Sequence, residues 1–62
     1  MNAQFMEKYI YITIVEQYDK QLIKSVNEKI QEGYKPYGDI VVSFNEAGVI
    51  KSYVQVMMLQ EQ

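Results

Sequence analysis

From residue 9 to 15 the chain reads Tyr-Ile-Tyr-Ile-Thr-Ile-Val, alternating with a period of two and built almost wholly from β-branched and aromatic residues. This predicts a strand. Ile10, Ile12 and Ile14 share one face, while Tyr9, Tyr11, Thr13 and Val15 share the other, which is too apolar for an ordinary solvent face. After Glu16-Gln17-Tyr18 the period changes: Leu22, Ile23, Val26 and Ile30 recur at helical spacing, with Lys20, Lys24, Asn27, Glu28 and Gln31 directed elsewhere. Asp19 is placed to act as N-cap, and Tyr18 and Ile23 occupy the positions of a hydrophobic staple. Gly33 falls where a helix C-cap needs the left-handed conformation, and Pro36 follows where the helix cannot resume.

A second strand is expected around Ile40, Val42 and Phe44, then a turn at Asn45-Glu46-Ala47-Gly48 and a third strand over residues 49–59. Pairing Asn45 with Val49, with Gly48 as the left-handed residue, sets Ile40, Val42 and Phe44 against Val54, Ser52 and Ile50. A register shifted by one brings Lys51 to the same side, where an unpaired buried ammonium costs several kcal/mol. The expected inner face is therefore Ile10, Ile12, Ile14, Ile40, Val42, Phe44, Ile50, Val54, Val56 and Met58 against the helix. The fold class is α+β, in the order β-α-β-β, with a three-stranded antiparallel sheet, the third strand central and one helix on one face. A parallel pairing of the first two strands is the alternative. Residues 1–7 show no period and stand as an unassigned arm; residues 8–62 form a single domain.

No second helix is available for the opposite face, which is expected to carry Tyr9, Tyr11, Thr13, Tyr37, Val41, Ser43, Tyr53, Gln55, Met57 and Leu59. At 62 residues a domain buries only about 60% of the surface its unfolded chain exposes. Without cysteine or histidine it has neither disulfides nor an ordinary zinc site to compensate. Self-association through the tyrosine face is the expected remedy, since covering apolar area contributes about 25 cal/mol per Å². The same face suits a small ligand, because tyrosines stack on flat rings and Lys8, Lys35 and Lys51 could meet phosphate or carboxylate at its rim. Tyr9, Tyr11, Tyr37, Tyr53, Lys8 and Lys51 are the candidate ligand-binding residues.

Net charge is -2, from eight acids and six basic residues, all lysine, so duplex nucleic acid is not an expected partner. The longest apolar run, Val56-Met57-Met58-Leu59, is far short of a membrane span, and no export pattern opens the chain; a cytoplasmic location is expected. Histidine, cysteine and arginine, the usual agents of acid-base, nucleophilic and oxyanion chemistry, are all missing. Asp39 with Glu7 or Glu16 are the only carboxylates near strand ends that could act in pairs, and solvated charge explains each more simply. No cofactor or metal is expected. Gly38 is assigned to close backbone approach.

Leu22, Val26, Asn27 and Ile30, then Glu32-Gly33-Tyr34-Lys35-Pro36-Tyr37-Gly38, then Tyr53-Val54-Gln55-Val56-Met57, resemble the short bacterial and phage family known as domain of unknown function 1737. Its corner reads Gly-Trp-x-Pro-x-Gly and its last strand Tyr-x-Gln-Ala-Met; here Tyr34 replaces the tryptophan and Val56 the alanine. The resemblance spans roughly residues 8–59, implies the fold and carries over no catalytic residue. Small cysteine-free oligomers of this kind are also similar in type to phage anti-defence proteins that act by binding. The expectation is thus a non-enzymatic homo-oligomeric binding protein, a sponge for a small anionic ligand such as a cyclic nucleotide held at subunit interfaces. The alternative is a module that masks a host or phage protein.

Overall fold

The computed structural model describes residues 8–61; the N-terminal arm, with Glu7, lies outside them. Strand β1 (Lys8–Glu16), helix α1 (Asp19–Gln31), β2 (Lys35–Phe44) and β3 (Ile50–Glu61) follow in order. Both pairings are antiparallel, and the sheet order is β1-β3-β2. The hairpin β2-β3 and the return of β1 to the far side of β3 are therefore as the turn and helix signals predict.

The helix starts one residue earlier than expected, at Asp19 itself. Tyr18 occupies the N-cap position with extended backbone and no side-chain cap, while Asp19 is already helical, its Oδ1 accepting the Lys20 N–H at 2.7 Å. In the first turn its carboxylate still faces the positive end of the helix dipole. Leu22 is 2% exposed and Val26 packs against the core, whereas Ile23 and Ile30 lie largely in solvent. The expected apolar stripe is thus narrower than its sequence, because a sheet this small supports one edge of the helix. The C-terminus closes as a Schellman motif: the Gly33 N–H donates to the Ile30 carbonyl and the Tyr34 N–H to the Lys29 carbonyl, both at 3.0 Å. Gly33 has φ 100°, and an added Cβ would stand 3.3 Å from Leu59 Cδ1.

β2 begins at Lys35, five residues ahead of Ile40, where the alternation first shows, and it takes in Pro36. An edge strand tolerates proline because its outward side needs no donor. Between Tyr37 and Val41 the register slips, so that residues 38–40 stand opposite Gln55 alone. Gly38, at φ 79° with open space where a Cβ would be, serves this bulge through its backbone angle, and not the close approach first assigned to it. Gln55, 4% exposed, closes the irregularity: its amide nitrogen donates to the carbonyls of Val56 at 2.9 Å, Gly38 at 3.1 Å and Tyr37 at 3.4 Å.

The Asn45 turn forms as expected, with Asn45 N–H to the Val49 carbonyl at 2.9 Å and Gly48 at φ 80°. Phe44 meets Ile50, but a second slip follows at once, giving Ser43 opposite Ser52 and Val42 opposite Tyr53. On the other side β1 runs in unbroken register, with Ile12 opposite Met57 and Ile14 opposite Gln55. The phase of β3 is consequently the reverse of the expected one. Tyr53, Gln55, Met57 and Leu59 face the helix, while Ile50, Val54, Val56 and Met58 face away. Lys51 shares the helix side, yet it is exposed; the hairpin end lies beyond Glu16, where β1 stops, so placing lysine there involves no burial. The core is Ile14, Leu22 and Met57, with Ile12, Val26, Tyr34 and Tyr53 packed around it.

Candidate functional site

The face away from the helix has no covering element among the described residues. Register fixes its layout. Tyr11, Met58 and Lys35 lie in one row across the sheet, and Thr13, Val56 and Tyr37 in the next. The rings of Tyr11 and Tyr37 reach over the middle strand to meet edge to face, centroids 5.4 Å apart at 77°, and Tyr9 joins Tyr11 at 6.4 Å with a 36° tilt. Edge-to-face geometry brings the positive rim of one ring to the negative face of the other. Tyr11 remains 52% and Tyr37 55% exposed. Three rings thus form a ridge with open flanks, floored by Val56 and Met58.

Of the six residues singled out in the sequence, three come together here and three do not. Tyr53 belongs to the other face and packs on the core. Lys8 is also on the helix side, opposite Glu61, and Lys51 is near the far end of the hairpin. Lys35, weighed before only as one of three rim lysines, is the cation that shares a row and a face with Tyr11. The signal for this lay in plain alternation: Lys35 stands two residues before Tyr37 and so shares its face.

The remaining polar groups do not gather into a reactive set. Glu16 accepts a hydrogen bond from Ser25 Oγ at 2.8 Å, and Asp39 is exposed in the bulge of β2, with β3 between them. Among the described residues no group of three or more acids could hold a metal ion, and no helix is long and apolar enough to cross a membrane. A depression of about 340 Å³ lined by Glu16, Gln21, Lys24, Ser25 and Glu28 lies on the helix side, remote in kind and place from the tyrosines.

Fold and face together define a small α+β sheet protein clad on one side and bare on the other. Residues 6–57 match the family described as Domain of unknown function (DUF1737). The chain belongs to that family. No curated protein and no solved structure matches it.

Proposed function

We propose that the protein is a homo-oligomeric binding protein whose tyrosine face takes up a flat, anionic small molecule of the nucleotide class between subunits, holding it without chemical change. The observation that carries this reading is the exposed Tyr9-Tyr11-Tyr37 cluster with Lys35 in its row. Rings at this exposure leave π-faces open for a base to stack on, a contact of about 1–3 kcal/mol per base. Lys35 supplies charge for a phosphate, and its flexible stem lets it follow ligands of different length. A second subunit laid on the same face would cover Val15 and Val41, which are exposed on it, and would exclude water from the stack. Uptake of such a signal by a phage-encoded sponge is the biological role that fits this chemistry.

The test is a thermal-shift series against cyclic mononucleotides and cyclic dinucleotides. At least one ligand should raise the melting temperature, and the shift should vanish in Tyr11→Ala and Tyr37→Ala and shrink in Lys35→Gln. A flat response across the series would overturn the reading. A protein ligand is the second reading, favoured by the apolar hairpin end, where Phe44 and Val49 are both exposed. A stoichiometric complex lost in Phe44→Ser, together with no nucleotide response, would support it.

A further inference from the structure

We propose that β1 pairs edge to edge with β1 of a second copy, antiparallel and with Ile12 opposite Ile12, so that two three-stranded sheets become one of six. Among the described residues β1 and β2 are the two edge strands of the sheet, and they are built differently. The edge of β2 carries Pro36, which has no N–H, and a three-residue bulge containing Gly38 and the charge of Asp39. Proline, bulges and charge are the devices by which sheet edges avoid pairing. The edge of β1 has no proline, no bulge and no charge in its interior. It runs nine residues without a register break, and its charges, Lys8 and Glu16, sit at its two ends. In an antiparallel strand alternate residues turn their N–H and C=O away from the neighbour, so this edge presents a regular template.

Charge selects the occupant and the register. With Ile12 on the two-fold axis, Lys8 stands opposite Glu16 of the second copy, and symmetry makes the pair twice. Tyr9 then meets Val15, Ile10 meets Ile14 and Tyr11 meets Thr13, and aromatic with β-branched pairs stabilise such ladders. Sliding by two residues breaks both charge pairs.

This contact runs along the backbone edge of β1, with Tyr9 and Tyr11 bordering it, and stands whether or not the tyrosine face binds a ligand. The experiment is sedimentation velocity on the full chain with Lys8→Glu, with Glu16→Lys, and with the two mixed in equal amounts. Each variant alone should dimerise at least tenfold more weakly than the parent, since like charges then oppose. The mixture should recover the parent's affinity, because Glu at position 8 then meets Lys at position 16 and the native Glu16 meets Lys8. As Glu16→Lys also loses the Ser25 hydrogen bond, amide exchange on the parent protein supplies the independent measurement. The outward amides of residues 9–15 should be protected and lose that protection on dilution. A parent that is monomeric at all concentrations would overturn the proposal. So would an oligomer whose outward β1 amides exchange as in an open strand.

Discussion

Ile14 and Val15 are neighbours in sequence and alike in chemistry, yet one is 9% exposed and the other 58%. They differ only in the side of the sheet they face. The helix side holds the core of Ile14, Leu22 and Met57; the opposite side holds as many apolar groups and nothing in the described chain covers them. Burial here is set by where thirteen helical residues can lie, not by how hydrophobic each position is. An apolar surface left over after intramolecular packing is the part of the molecule available to partners.

Removing a side chain from the clad side should do the greatest damage. Met57, 0% exposed, is the largest loss available: Met57→Ala is expected to cost about 2–5 kcal/mol, a large fraction of what a small domain possesses. Val41→Ala, on the bare side and exposed, should stay within about 0.5 kcal/mol. Urea titrations of the two variants measure the contrast directly. Similar losses for both would mean that the bare side is packed in solution, and a dependence of the Val41→Ala loss on protein concentration would trace that packing to a second copy.

The next effect tests how the two sides were sorted. Gln55 is the buried polar residue that lets β2 bulge while β3 stays straight, so Gln55→Leu leaves the carbonyls of Gly38 and Val56 without their donor. The expected cost is about 1–3 kcal/mol, read from urea midpoints. A loss of protection at the amides around the bulge, seen by hydrogen exchange and larger than the loss at β1, would tie the cost to that site. A stability unchanged by the substitution would mean that water serves those carbonyls as well.

Gly33→Ala follows, at about 1–2 kcal/mol, since φ 100° is a backbone angle that a Cβ disfavours and the added methyl would press on Leu59 Cδ1 at 3.3 Å. This corner was the most legible part of the chain. Glycine and proline at fixed offsets dictate local geometry without reference to the rest of the fold, and the Asn45-Gly48 turn was legible for the same reason. The phase of β3 was not. Val54, Val56 and Met58 alternate with Tyr53, Met57 and Leu59, so both faces of that strand are apolar and alternation cannot choose between them. What chose was the one-residue slip at Lys51 of β3, beside the hairpin turn, and the register with β1, which are tertiary facts. The candidate site inherited the error residue by residue: Tyr9 and Tyr11, on slip-free β1, and Tyr37 fall on the expected face, whereas Tyr53, on the reversed strand, does not. Lys51, on the same reversed strand, moves with Tyr53, and Lys8 shares the phase of Ile10 and so falls on the helix side.

The smallest expected effect is the most informative about the bare side. Tyr11 and Tyr37 meet edge to face across a middle strand that both flank. A double-mutant cycle with Tyr11→Ala and Tyr37→Ala should return a coupling of about 0.5–1.5 kcal/mol, the usual value of such a pair beyond the area it buries. Run in urea at two protein concentrations, the cycle separates three states of the face. A coupling in that range, unchanged by concentration, describes rings that meet within one subunit and stay open. One that grows with concentration describes rings clamped by a second copy, because truncating either then also loosens the assembly. No coupling at either concentration would mean that the rings do not meet in solution, and a ligand stacked on one of them would gain nothing from the other.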